Sequence, residues 1–154
     1  MSVSIRKAET DDCATIVEFN SALAEETESK KLNETTLQAG VNAVLADSAK
    51  GAYFLAEING KIVGQTMVTL EWSDWRNGVF WWIQSVYVAP AHRGDGVFGE
   101  LYRHIYEQAI NDPDVCGLRL YVDLHNQHAA DVYRALGMHD SSYKMLELDF
   151  TSGH

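Results

Sequence analysis

The sequence predicts an α/β protein built as one domain over residues 1–154, with an antiparallel hairpin half and a helix-crossover half. Three observations carry this. Apolar runs with strand alternation and with helical spacing succeed one another along the chain. Two strand-like runs, Tyr53 to Ile58 and Lys61 to Leu70, are separated only by Asn59-Gly60, a dipeptide that tolerates positive φ at both central positions of a type I′ turn. The apolar run ending Tyr87-Val88 is stopped by Pro90, and a glycine-punctuated turn then opens straight into an amphipathic helix.

Taken in order, Val3 and Ile5 alternate with polar residues as a short first strand. Asp11 or Asp12 is placed to cap a helix on which Cys13, Ile16, Val17, Phe19 and Leu23 recur near helical spacing. The charged stretch from Glu25 to Lys31 reads as a mobile linker. Asn33 then caps a second helix, with Leu32 and Leu37 placed as a hydrophobic staple and Val41, Val44 and Leu45 continuing its apolar face. After the hairpin, Glu71 to Gly78 reads as a connection into a third long strand, Val79 to Val88. The helix after the glycine turn has a core stripe of Val97, Leu101, Ile105 and Ala109, with Glu100, Arg103, His104 and Glu107 on its wet side. Leu118 to Val122 is the next strand, and Leu146, Leu148 and Phe150 alternate as a terminal one, followed by a frayed end from Thr151.

Composition bounds the function. At 154 residues and 46% hydrophobic content the chain can bury one sizeable core. A net charge of −10 without a basic cluster excludes a phosphate-binding nucleic-acid surface and suits a cationic ligand, although acidity is also an ordinary route to solubility. No apolar run of about twenty residues, cleavable leader or lipidation signal is present, so no membrane partner is expected and the expected location is cytoplasmic. The two cysteines, Cys13 and Cys116, are isolated and read as buried reduced thiols. His125 and His128 lack the spacing and carboxylate company of a metal site, so no metal is expected.

The chemistry concentrates in Val86-Tyr87-Val88-Ala89-Pro90-Ala91-His92-Arg93-Gly94-Asp95-Gly96-Val97-Phe98-Gly99. Glycines let the backbone approach a ligand closely, and the first turn of the next helix offers unpaired N–H groups at the positive end of its dipole, which together make an anion cradle. The spacing is neither a dinucleotide fingerprint nor a P-loop. It resembles the acyl-CoA signature of the GNAT superfamily of N-acyltransferases, Arg/Gln-x-x-Gly-x-Gly/Ala, here Arg93-x-x-Gly96-x-Phe98; the last position departs from the pattern, with Phe98 where a small residue is usual and Gly99 one place late. The run from Asn126 to Met138, including Ala129, Val132, Tyr133 and Gly137, is similar to the family's second signature. With a matching first strand and helix, the resemblance covers almost the whole chain.

The resemblance implies a mixed, mostly antiparallel sheet flanked by helices and splayed between its fourth and fifth strands, with the pantetheine arm of the cosubstrate acetyl-CoA entering the opening. It assigns acetyl-CoA binding to Val86, Tyr87, Val88, Arg93, Gly94, Asp95, Gly96, Val97, Phe98, Gly99 and Asn126. A backbone N–H at Val86 or a neighbour would meet the thioester carbonyl, and Tyr133 would stand near the departing sulfur. A protonated amine has no lone pair, so a proton must leave before attack. Relatives carry a glutamate shortly before the V-x-V unit; here the positions are Gln84 and Ser85, so Gln84 is assigned to position a water, with Glu71 or one of Glu25, Glu26 and Glu28 receiving the proton. Glu28, Glu71, Trp72 and Trp75 are candidate contacts for the amine, carboxylates and indole faces being what an ammonium needs. The reading is an N-acetyltransferase for a primary amine, a small cationic one, by direct attack in a ternary complex. Alternatives are a non-catalytic acyl-CoA sensor and a protein or peptide N-acetyltransferase; a homodimer stays open.

Overall fold

The computed structural model describes residues 2–151, which form two compact units, one running to Leu120 and a second from Tyr121 onward. The first holds β1 (Ser4–Lys7), a 3-10 turn (Thr10–Asp12), α1 (Cys13–Glu28), α2 (Glu34–Ala46), β2 (Ala52–Ile58), β3 (Lys61–Ser73), β4 (Gly78–Val88), a second 3-10 turn (Pro90–His92), α3 (Val97–Ile110) and β5 (Val115–Leu120). Its sheet has the order β1-β2-β3-β4-β5, antiparallel except between β4 and β5. This is a mixed α/β fold with a mostly antiparallel sheet flanked by helices.

Strand alternation divides the helices between the two faces. Tyr53 and Leu55 of β2 pack with Cys13, Ile16 and Val17 of α1 and Val41 of α2, and Met67 of β3 joins them. Phe54, between those two residues, faces the other way, with its ring 5.5 Å from that of His104 on α3. The expected stripe of Val97, Leu101, Ile105 and Ala109 is buried throughout. Gly64 of β3 lies under it so closely that a Cβ there would stand 2.9 Å from Val97 Cγ1. The hairpin turn is the expected one, with Asn59 at φ 53° and Gly60 at φ 76°. Asn33 caps α2, its Oδ1 accepting from the Thr36 N–H at 2.9 Å.

Several expectations change. The stretch from Glu25 to Glu28 is the last turn of α1, which ends where Ser29 turns left-handed at φ 53°; charged side chains on a solvent-facing turn look like a linker in sequence. Asp12 does not cap α1 with its side chain. Its carboxylate accepts from the Glu9 N–H at 2.7 Å and from two Arg6 nitrogens at 2.8 Å each, and Arg6 also reaches Glu57 at 2.6 Å, so it ties β1 and β2 to the start of α1. Those bonds hold the Asp12 carboxyl below its ordinary range. β3 runs on through Ser73, so Glu71 and Trp72 are strand residues and not loop. Cys13 is buried, whereas Cys116 is exposed.

The second unit holds α4 (Gln127–Ala135). Asn126 caps it, accepting from the Ala129 N–H at 3.0 Å. It closes in a Schellman motif at Gly137 (φ 98°), with Met138 N–H bonded to Tyr133 O and Gly137 N–H to Arg134 O. The expected terminal strand is absent: Leu146, Leu148 and Phe150 are 86%, 80% and 91% exposed. Alternation makes a strand only where a ladder partner exists, and among the described residues this unit has none. The frayed end beyond Thr151 lies outside the described residues. No helix among the described residues is long and apolar enough to cross a membrane.

Candidate active site

The site is organised by two irregularities, one within β4 and one in the turn that follows it. The first is a bulge. Met67 of β3 pairs with Gln84 and Gln65 with Tyr87, so Thr66 alone faces both Ser85 and Val86. Ser85 takes φ 53° there, a conformation that costs a non-glycine residue of order 1–2 kcal/mol and must be held by its surroundings. The holders are buried polar groups. Gln65 Nε2 donates to Ser85 O at 3.1 Å and to Asn20 Oδ1 at 3.0 Å, and Thr66 Oγ1 donates to Gln84 O at 3.1 Å. Asn20 Nδ2 in turn donates to the Tyr53 hydroxyl at 3.4 Å. Gln65 is fully buried, and its Oε1 has no hydrogen-bond partner.

β4–β5 pairing ends at Ile83–Leu120, two residues before Ser85, while β4 continues to Val88. β5 itself ends at Leu120, so the bulged stretch is without a β5 partner among the described residues.

The second irregularity is the turn from Ala89 to Gly96. Gly94 (φ 91°) and Gly96 (φ 79°) occupy the left-handed region that suits glycine. The first intrahelical bond of α3 runs from Glu100 N–H to Gly96 O, and the helix start faces a cleft of about 300 Å³ lined by Val88, His92, Arg93, Gly94, Gly96, Val97, Phe98 and Gly99. Cβ atoms built on Gly94, Gly96 or Gly99 would meet nothing within 4 Å, so the backbone stands bare to a ligand. Those residues fit a pyrophosphate.

Seven of the residues assigned to the cofactor from sequence thus line one cleft. Tyr87 is buried, its ring 5.1 Å from that of Phe19, and Asp95 stands 3.6 Å from His92. Phe98 lies partly exposed on the cleft wall, its ring 6.3 Å from that of Tyr102, instead of filling the core.

Arg93 does not project as a free phosphate ligand. Its Nε donates to Val88 O at 2.9 Å, its Nη2 meets Glu26 at 2.9 Å, and its guanidinium lies 5.4 Å from the Tyr87 ring centre. The last turn of α1 is thereby tied to the turn. Arg93, then the Tyr87 hydroxyl, hold the Glu26 carboxyl below its ordinary range, while burial, then the bond to Glu26, raise the Tyr87 phenol.

On the α1–α2 side of the sheet, Gln84 Nε2 donates to Thr69 Oγ1 at 2.5 Å. Two residues back, Trp82 Nε1 donates to Glu71 Oε1 at 2.8 Å, and Arg119 of β5 meets the same oxygen at 2.9 Å. Glu71 is therefore partnered, and these bonds, Trp82's first, lower its pKa. Glu28 is exposed and 3.4 Å from Lys30; Trp72 and Trp75 are exposed. In the second unit, Asn126 is exposed at the start of α4, and burial raises the Tyr133 phenol above its ordinary range.

Sequence reasoning missed Asn20, Gln65, Thr69, His92 and Arg119. For the first two a signal existed: an amide on the apolar stripe of α1 and another inside an apolar strand, each of which must find a partner to be buried. His92, Thr69 and Arg119 carried none.

Comparison with known proteins agrees with this geometry. The family model of the Acetyltransferase (GNAT) family matches residues 14–138, through both units. The chain belongs to that family. Thialysine N-epsilon-acetyltransferase of Bos taurus is 30% identical over 151 residues, covering 90% of this chain and 85% of that protein. A possible acetyltransferase from Clostridium difficile 630 superposes with a TM-score of 0.91 at 44% identity, covering 97% of this chain and 98% of that one. A predicted acetyltransferase with acetyl-CoA from Clostridium acetobutylicum shares the fold, with a TM-score of 0.78 at 21% identity and 99% coverage of both chains.

Proposed function

We propose that the protein is an acetyl-CoA-dependent N-acetyltransferase that acylates a primary amine on a small molecule by direct attack in a ternary complex. The observation that carries this is the succession of the bulge at Ser85–Val86, near the end of β4, and the bare helix start at Gly96, in the turn that follows that strand. When bound, acetyl-CoA supplies the activated acetyl group. Backbone of the turn from Arg93 to Gly99 holds the pyrophosphate, Val86 and Val88 flank the arm, and Asn126 is assigned to the same ligand. The backbone N–H at the bulge is the donor for the carbonyl oxygen as it gains charge. Tyr133, a phenol and so protonated at neutral pH, is assigned to give its proton to the departing thiolate; the second signature supports that role.

Gln84 donates one of its two amide N–H groups to Thr69, and its carbonyl oxygen serves as acceptor for the attacking amine or a water. The relatives named thialysine N-epsilon-acetyltransferase support a side-chain amine as the acceptor. The second reading, an acyl-CoA sensor without turnover, draws on Gln84 standing where a carboxylate base is usual.

Titration calorimetry with CoA and thiol-release assays with acetyl-CoA over diamines, polyamines, amino acids, aminoglycosides and short peptides separate the readings. CoA at about a hundred times its Kd should stabilise the fold by roughly 2.7 kcal/mol, and its failure to bind ends both. Binding without release from any acceptor favours the sensor, and release confined to peptides favours the protein-acetylating alternative. Tyr133→Phe is expected to lower turnover roughly ten- to a thousand-fold with little change in CoA affinity; equal turnover returns Tyr133 to a packing role.

A further inference from the structure

Resting on that reading, we propose that the exposed pair Glu71–Arg119 recognises the α-amino-acid head of the acceptor, so that the substrate class is a diamino acid whose side-chain amine is acetylated. Both hydrogen bonds to Glu71, from Trp82 Nε1 and Arg119 Nη1, land on Oε1, so Oε2 is available to an ammonium. Arg119 spends Nη1 on that bond and lies flat on Phe80, its guanidinium carbon 3.6 Å from the ring centre. Its remaining edge is the planar fork that takes a carboxylate in bidentate fashion.

An exposed ion pair adds little to stability, and here Glu71 and Arg119 keep 45% and 27% of their side-chain surface in solvent. Arg76 stacks on the same Phe80 ring at 5.0 Å, so a second guanidinium stands near the Glu71–Arg119 pair and its charge also acts on the Glu71 carboxylate. That balance suits an acceptor that brings a carboxylate of its own. A bare diamine brings none.

The spacing agrees. Arg119 is registered with Trp82, and Trp82 and Gln84 point to the same face, two residues or about 7 Å apart along the strand. The five bonds from the α-carbon of lysine to its side-chain nitrogen span roughly 6 Å when extended. A head group held at Glu71–Arg119 therefore delivers the terminal amine to Gln84 and the bulge. There the ammonium gives its proton to solvent water, the neutral amine attacks the thioester carbonyl, the C–S bond breaks as the thiolate leaves, and the second nitrogen proton passes to solvent as the amide forms.

The test compares L-lysine and L-ornithine with their decarboxylated counterparts, cadaverine and putrescine. The wild-type protein is expected to favour the diamino acids at least tenfold in kcat/KM. Arg119→Gln should cut that preference at least tenfold, mainly through KM, with partial recovery in Arg119→Lys. Glu71→Gln should lower the preference for free lysine over Nα-acetyl-lysine. Equal losses on amino acids and diamines in Arg119→Gln, or a wild-type protein that prefers diamines, overturn the proposal while leaving the acetyltransferase reading intact. Thiol release from no amine at all overturns both.

Discussion

The bulge near the end of β4 and the glycine turn that follows the strand both hold backbone in the left-handed region, yet they are built in opposite ways. At the turn the unusual conformation costs little, because Gly94 and Gly96 adopt it freely and nothing crowds them. At the bulge the conformation falls on Ser85, and it persists because Gln65, itself bonded to Asn20, donates to the Ser85 carbonyl and Thr66 donates to the Gln84 carbonyl. The turn is local and open. The bulge is long-range and buried, so it can keep an amide aimed more rigidly than a solvent-facing loop can.

The contrast is broken most directly at Gln65. Gln65→Leu removes both donated bonds and leaves the Ser85 carbonyl and Asn20 Oδ1 without that partner, at an expected cost on the order of 2 kcal/mol in denaturant unfolding. Turnover should fall by more than CoA affinity. A loss below about 0.5 kcal/mol would mean that the bulge does not depend on the amides.

Gly96→Val tests the other side. A β-branched residue at φ 79° costs about 1–2 kcal/mol even in open space, and the distorted helix start should weaken CoA roughly tenfold in calorimetry. Unchanged CoA affinity would place the pyrophosphate elsewhere.

The smallest effect is expected at the tie between the regions. Glu26→Gln leaves Arg93 its bond to Val88 and its stack on Tyr87, so CoA affinity should weaken only two- to threefold. The folded pKa of Glu26 lies below the ordinary 4.5, so its contribution is present above that value and lost as the pH falls through the folded one. Stability measured from pH 6 downward should accordingly fall less steeply in Glu26→Gln than in the parent. Identical slopes would show that the ion pair does not reach the folding equilibrium.

Legibility in the sequence follows the same division. Asn59-Gly60, the stripe from Val97 to Ala109 and the run from Arg93 to Gly99 were readable because each is specified within a few residues by backbone freedom or helical period. The alternation of Leu146, Leu148 and Phe150 misled because a strand needs a partner that local sequence does not name. Glu71 was singled out as a carboxylate but not as a partnered one, since Arg119 lies 48 positions away.

By itself, then, the sequence determined the order of elements as far as α4, the family and the glycine turn before α3, because hydrophobic period, capping residues and glycine placement act over one or two turns of chain. Only the tertiary structure decided that Ser85 carries the bulge, that Gln65 and Asn20 hold it, that Arg93 is tied to Glu26, and that Arg119 faces Glu71. Each of those is a directional contact between distant segments. Which polar groups meet is set by strand register and by the helix face laid against the sheet, and neither exists until the chain has folded.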